Sequence, residues 1–332
     1  MGNIGINIID KYNNCLLCPK SCGVNRTAGE KGYCGEGADL RLAFAGLHRG
    51  EEPPLSGEKG SGTVFVSGCN LRCVICQNWQ ISSGGGDACE CLGRSVSTEE
   101  FAEICLALQN KGAENINIVT GSHAVPAIVT GLAAAKASGL PNGRLQIPVL
   151  WNSSGYETPE TLELLNGLVD TWLPDLKTLD GTLSKRLHAP DYPEAATAAI
   201  RWMIKNKPQN VIIRHLILPG HLESTRAVLR WFAENTAGKA LLSLMSQYTP
   251  ITGADQQGGL TRQDGFDRHG PPRRFLTKKE YETVLGWLEE FGIEDGFCQD
   301  YVTGNDWLPD FTLSNPFSSE LSVPVWHFRN GE

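Results

Sequence analysis

Three cysteines in the run Ser67-Gly68-Cys69-Asn70-Leu71-Arg72-Cys73-Val74-Ile75-Cys76-Gln77-Asn78-Trp79 are separated by three residues and then by two. Thiolates are the usual ligands of iron–sulfur clusters, and three on so short a loop can wrap one compact cluster. A four-iron cube held by three protein ligands leaves one iron open, and an unfilled coordination position is where an external molecule binds and reacts. A second group, Cys15, Cys18, Cys22 and Cys34, has gaps of two, three and eleven residues. Four thiolates that saturate a metal make either a structural zinc site or an auxiliary cluster that relays electrons. Of the 11 cysteines, Cys89 and Cys91 lie in a glycine-rich stretch, as accidental thiols or as extra ligands. Cys105 falls on an apolar helical stripe and reads as core, and Cys298 has no reading. The odd count and the chain length disfavour a disulfide framework.

Such ligands need a rigid frame, and the frame is legible. From Thr63 the sequence settles into short β-rich runs, each ending in polar or glycine residues and followed by a helical pattern. Strands are predicted over 63–67, 115–120, 145–152, 169–176, 211–218 and 241–247. Ser97 and Glu100 form a capping-box pattern ahead of Phe101, Ile104, Cys105 and Leu108, which share one helical face. Thr277 and Glu280 repeat it, and Thr158-Pro159 is a third helix start, with proline at the first helical position. Repeated β-then-α units require parallel strands and right-handed crossovers, in a barrel-like or a doubly wound sheet. The expected organisation is a small Cys-rich N-terminal module over 1–60, an α/β unit over 61–300, and a tail over 301–332. The tail aromatics Trp307, Phe311, Phe317, Trp326 and Phe328 are expected to pack across that unit. The interval 252–274, rich in Gly, Gln, Asp and Pro, reads as a long loop, either a lid or a mobile segment.

Composition narrows the function. With 41% hydrophobic and 20% charged residues over 332 positions, a sizeable core is available. The formal net charge of -8 gives no basic footprint, so nucleic acid is not an expected partner, and small molecules or proteins are. No apolar run approaches the roughly 20 residues that cross a bilayer, and the polar N-terminus shows no signal pattern. A cytoplasmic protein with no membrane partner is expected.

The C-x3-C-x2-C loop directly after a first β-strand resembles the radical S-adenosylmethionine (SAM) superfamily. Within it the chain is similar to the activating enzymes of glycyl radical enzymes, and most of all to uncharacterised homologues of pyruvate formate-lyase activating enzyme. The cluster loop carries the likeness together with Glu51-Glu52-Pro53-Pro54-Leu55-Ser56-Gly57, Ser61-Gly62-Thr63, Asn115-Ile116-Asn117-Ile118-Val119-Thr120, Leu173-Pro174-Asp175-Leu176-Lys177 and Ile213-Arg214-His215-Leu216-Ile217-Leu218-Pro219-Gly220. It spans about Cys15 to at least Gln299. It implies a partial (β/α)6 TIM-type barrel, in agreement with the six units above. It also implies an oxidoreductase in which SAM chelates the open iron of a [4Fe-4S] cluster held by Cys69, Cys73 and Cys76. Reductive cleavage then gives methionine and a 5'-deoxyadenosyl radical, with the hard chemistry carried by the cofactors.

Further roles come from the same resemblance, at the strand ends where barrel sites are built. Gln77 and Asn78 take the place of a polar pair beside the cosubstrate. Thr120, Gly121, Ser122 and His123 stand where many relatives carry a Gly-Gly-Glu run that meets the methionyl amino group, and here that run is absent. Asn152 and Ser153 replace an Asp-Thr pair. Asp175 and Lys177 match an Asp-x-Lys motif that in relatives helps hold a monovalent cation, with a plain ion pair as the other reading. Arg214 matches an arginine near the cosubstrate, suited to a carboxylate. Gln247 and Tyr248 are placed on the adenine side by position. Glu51 and Glu52 read either as an extended lead into the first strand or as acidic groups that reach substrate. A low-potential flavodoxin or ferredoxin is the implied reductant, and the hydrogen donor is a glycine of a partner enzyme or a small metabolite, peptide or RNA. An iron–sulfur electron carrier or zinc-ribbon binding protein is a third class, and the barrel is far larger than it needs.

Overall fold

A computed structural model describes residues 8–82, 91–137, 143–186, 188–236, 238–251 and 272–330. Its strands are β1 (Leu40–His48), β2 (Ser61–Val66), β3 (Arg94–Val96), β4 (Ile116–Val119), β5 (Val149–Ser153), β6 (Thr171–Pro174), β7 (Ile212–Leu216), β8 (Leu241–Met245), β9 (Gly296–Cys298) and β10 (Ser322–His327). The helices are α1 (Pro53–Ser56), α2 (Trp79–Ser82), α3 (Thr98–Asn110), α4 (Val125–Lys136), α5 (Pro159–Leu165), α6 (Gly181–Arg186), α7 (Tyr192–Asn206), α8 (Leu222–Thr236) and α9 (Lys278–Glu290).

The six predicted strands form as β2, β4, β5, β6, β7 and β8, in that spatial order and parallel. Single parallel bridges, Trp172 to Val211 and Asp175 to Arg214, carry the sheet from β6 to β7. The result is a partial (β/α)6 barrel with helices packed outside. Strands covered on both faces read as continuous apolar runs, because neither face meets water. Val64, Ile118, Trp151, Trp172 and Ile213 accordingly share one core with Phe101, Ile128 and Leu162 of the outer helices.

The three sequence-read caps are in place. Ser97 Oγ accepts from Glu100 N at 3.1 Å, Thr158 caps α5 ahead of Pro159, and Thr277 with Glu280 makes a reciprocal box. Cys105 is buried in the core as expected. Cys89 and most of the 252–274 loop, residues 252–271, lie outside the described residues.

Two features extend the barrel. β1 runs antiparallel to β2, and β10 runs antiparallel to β1. The stretch Leu40-Arg41-Leu42-Ala43-Phe44-Ala45-Gly46-Leu47-His48 is therefore sheet, and the Cys-rich part outside the sheet is residues 8–39. After β1 the chain passes under the barrel as α1, where Leu55 packs against Leu150, Leu173 and Ile212 and closes the floor.

Candidate active site

The cluster loop leaves β2 through Ser67 and Gly68. Ser67 Oγ donates to Leu92 O at 2.7 Å. Gly68 has a φ of 84° and lies where the side chain of Glu36 fills the space a Cβ would need, so glycine is required there twice over. Glu36 is itself held by Arg41 at 3.1 Å. Cys69 Sγ accepts from Leu71 N at 3.4 Å, and Cys76 Sγ from Ser82 Oγ at 3.2 Å. Burial pushes the Cys73 thiol up to about 12, against the pull of Lys177.

A cavity of about 850 Å³ opens above the floor, inside the 300–1,000 Å³ range usual for ligand sites. Twelve sequence-selected residues line it: Cys69, Cys73, Cys76, Gln77, Asn78, Thr120, Asn152, Ser153, Asp175, Lys177, Arg214 and Gln247. They arrive from the C-terminal ends of β2, β4, β5, β6 and β8 and from β7, so the parallel topology is what gathers them. Gln77 Nε2 donates to Gln247 O at 2.9 Å and ties the cluster loop to the end of β8.

Lys177 Nζ meets Asp175 Oδ2 at 2.5 Å. Burial pulls the ammonium down, but the neighbouring Asp175 carboxylate, with a smaller contribution from the Cys73 sulfur, outweighs it and holds Lys177 above its ordinary range. Asp175 and Lys177 thus make the ion pair that is one of their two readings.

Three expectations are corrected. Arg214 is not free for a cosubstrate carboxylate: its Nε donates to Glu52 Oε1 at 2.8 Å, and its Nη2 reaches both Glu51 and Glu52. Glu51 also accepts from Asn117 Nδ2 at 3.0 Å. Neither the extended-lead reading nor the substrate-reaching reading of Glu51 and Glu52 anticipated this buried cluster. Second, Gly121, Ser122 and His123 do not line the cavity. Gly121 is wedged between Ile128 and Trp151, Ser122 Oγ donates to Glu157, and His123 turns under β2 so that Nε2 meets Ser67 O at 2.7 Å. Third, Tyr248 packs with Leu183 and Leu218, its hydroxyl donating to Pro272 O at 2.8 Å.

Cys15, Cys18, Cys22 and Cys34 surround a second cavity of about 10 Å³, which His123 and Asn70 also line. Cys15, Cys18 and Cys34 are buried and Cys22 is exposed. Arg26 Nη1 lies 3.8 Å from Cys15 Sγ, and Tyr33 N donates to Cys22 Sγ at 3.3 Å. A single zinc ion needs donors at about 2.0–2.3 Å; among the described residues no three His, Cys, Asp or Glu side chains are drawn together in that way. Cys91 is half-buried beside the cluster loop, its carbonyl taking Arg41 Nη2 at 2.8 Å.

Sequence reasoning missed Phe65 and His48, which line the main cavity, and named Trp307 and Phe317, which also line it, only as tail aromatics packed across the barrel. It also missed Glu157, a buried carboxyl that accepts from Ser122 and Trp151. His48 belongs to a strand that was not predicted, and the two tail aromatics lie more than 200 positions from the cluster loop. No local pattern marks them. Among the described residues no helix is long and apolar enough to cross a membrane.

The model of the radical SAM superfamily matches residues 63–232. The uncharacterized protein MJ0674 of Methanocaldococcus jannaschii is 30% identical over 286 residues, 85% of this chain and 76% of the relative. A second uncharacterized protein of that organism, MJ0808, is 28% identical over 110 residues, 29% of this chain and 32% of its own. Among solved structures, Streptococcus suis SuiB bound to S-adenosylmethionine aligns at a TM-score of 0.48 and 14% identity, over 70% of this chain. The chain spans about half of SuiB, 48% of its length. The family match, which covers half of the chain, makes this protein a member of the radical SAM superfamily.

Proposed function

We propose that this chain is a radical-generating enzyme akin to the glycyl radical activating enzymes, in which Cys69, Cys73 and Cys76 hold a [4Fe-4S] cluster and the cavity beside them receives SAM. The observation that carries this reading is the convergence of the three thiols with Asn152, Asp175 and Lys177 on one cavity. The donor set suits a cluster. All three sulfurs are thiolate-capable, two already accept hydrogen bonds, and a multi-iron cube accommodates wider thiol spacing than one ion does. When bound, the cluster supplies the electron that cleaves SAM to methionine and a 5'-deoxyadenosyl radical.

The protein's own groups do the rest. Lys177 offers a cationic donor for the cosubstrate carboxylate, Asp175 fixes the position of that ammonium, and Asn152 and Ser153 present neutral polar groups beside it. Gln77 and Gln247 brace the cluster loop against β8. The four N-terminal cysteines form a second metal centre in this reading, either zinc or an auxiliary cluster, with Arg26 and the Tyr33 amide as donors to sulfur. Metal analysis on anaerobically purified protein separates the two: about eight irons and no zinc, or about four irons and one zinc. The likeness to activating enzymes gives a partner's glycine as hydrogen donor. A substrate enclosed by the barrel is a second reading, and the path of the C-terminal tail favours it.

The test is anaerobic reconstitution, reduction with dithionite, addition of SAM and chromatographic measurement of 5'-deoxyadenosine, with Cys73→Ala alongside. Product from wild type alone is expected. A wild-type protein with a verified, reducible four-iron cluster that neither binds SAM nor forms product would overturn the reading.

A further inference from the structure

A partial barrel has an open edge, and this one is closed by its own chain. Residues 299–321 connect β9, at one edge of the sheet, to β10, which pairs with β1 at the other. The first part is laced to the end of β8: Gln299 Oε1 accepts from Ser246 N at 2.9 Å, Ser246 Oγ donates to Asp300 O at 2.6 Å, and Thr249 Oγ1 to Gly304 O at 3.0 Å. The middle is pinned to the helix that follows the cluster loop. Gln80 Nε2 donates to Asp310 Oδ1 at 3.0 Å, and its Oε1 accepts from Phe311 N at 2.7 Å. The end joins the β1 edge, where Arg49 N donates to Leu321 O at 2.8 Å.

Aromatic rings seal the seam from within. Phe311 is fully buried and meets Phe65 at 5.3 Å between centroids, Phe317 meets Phe65 at 5.5 Å, and His48 lies 4.7 Å from Phe317. Phe65, Phe317, Trp307 and His48 line the cavity together with Glu51 and Arg214. His48 is 8% exposed and its Nδ1 has no hydrogen-bond partner. The buried charges at this end are Glu51, Glu52 and Arg214, an excess of one carboxylate.

We propose that the substrate of this radical site is a small molecule held inside the barrel, not a segment of a partner protein. Its apolar or planar face lies against Phe65, Phe317 and Trp307, and its hydrogen-bond-donating head is turned to His48 and Glu51. This rests on the radical-generator reading above. The physical reason is lateral access: a polypeptide loop entering through the open side of the barrel would have to displace Gln80 from two hydrogen bonds to the tail and expose Phe311, whereas a compact molecule fits within the cavity of about 850 Å³. An aromatic wall with few convergent polar groups is also the usual make-up of a small-ligand site.

The experiment uses holoenzyme already shown to cleave SAM slowly without additions, which keeps a dead generator distinct from a wrong substrate class. An extract of anaerobically grown cells is split by ultrafiltration, and each fraction is added before 5'-deoxyadenosine is measured. A severalfold rise with the low-molecular-mass filtrate and none with the retained macromolecules is expected. Stimulation by the retained fraction alone, or by neither, overturns the proposal. In a dilution series of the active filtrate, Phe317→Ala should need severalfold more filtrate for half-maximal stimulation. Phe317→Leu, which keeps most of the packing, should need an intermediate amount. An unchanged half-saturation point in both variants would remove the aromatic wall from the substrate site.

Discussion

Replacing Arg214 with alanine removes the only cation, among the described residues, in contact with two buried carboxylates, those of Glu51 and Glu52, whose side chains are 11% and 5% exposed. Breaking a buried ion pair by removing one partner costs about 3–5 kcal/mol, because the remaining charge keeps its desolvation penalty without its compensation. At about 2–4 °C per kcal/mol this is a fall of roughly 6–20 °C in apparent melting temperature. The pH dependence identifies the cause. In the wild type, burial pulls the Glu52 carboxyl up, but Arg214 and the Ser243 hydroxyl outweigh it and hold it below its ordinary value. A lowered folded pKa contributes stability above the unfolded value and loses it as pH falls through the folded value. Without Arg214 only the Ser243 hydroxyl and a backbone hydrogen bond oppose burial, and the sign is expected to reverse. Glu52 should then fold protonated, and the penalty should grow as pH rises above the unfolded glutamate value of about 4.3. Anaerobic scanning fluorimetry of wild type and Arg214→Ala at a fixed scan rate, from about pH 5.5 to about pH 8, reads this directly. The gap between the two proteins should widen toward the alkaline end, and Arg214→Ala combined with Glu52→Gln should narrow it there. A deficit below about 1 kcal/mol, or one that does not change with pH, would refute the reasoning.

Other perturbations test separate parts of the molecule. Lys177→Met leaves Asp175 unpaired in the cavity and should weaken SAM binding to the reconstituted enzyme about tenfold or more, equivalent to about 1.4 kcal/mol, by anaerobic equilibrium dialysis. An unchanged dissociation constant would take Lys177 out of the cosubstrate site. Gly131→Ala places a methyl group against the ring of Phe101, where α4 crosses α3. Overpacking of about 1–3 kcal/mol should exceed the helix-propensity gain of about 1 kcal/mol, so denaturant unfolding should show net destabilisation. Burial holds the Glu157 carboxyl above its ordinary value against hydrogen bonds from Ser122, Ser153 and Trp151. A raised folded pKa gives stability that is complete below the unfolded value and lost as pH rises. Glu157→Gln, which cannot ionise, should therefore gain stability relative to wild type toward alkaline pH, and equal pH profiles for the two proteins would contradict this.

The cluster loop, the six parallel strands and three helix caps were legible because each depends on residues close in sequence. Cys69, Cys73 and Cys76 lie within eight positions, and strand runs and caps are local consequences of burial and of unsatisfied backbone donors. Even the meeting of Asn152, Asp175 and Lys177 with the cysteines follows from strand order, since consecutive parallel strands bring their C-terminal ends to one rim. What the sequence could not determine depends on long-range pairing. Arg214 looked like a ligand-binding cation, but 162 positions separate it from the Glu52 carboxylate that claims it. His123 stood at the right strand end but lies under β2, where its Nε2 meets Ser67 O, 56 positions away in sequence. The tail aromatics read as a cover of unspecified place. Only the antiparallel pairing of β10 with β1 carries them across the open edge and makes them a wall of the cavity. Local chemistry marked the three-cysteine loop, and tertiary closure shaped the cavity beside it.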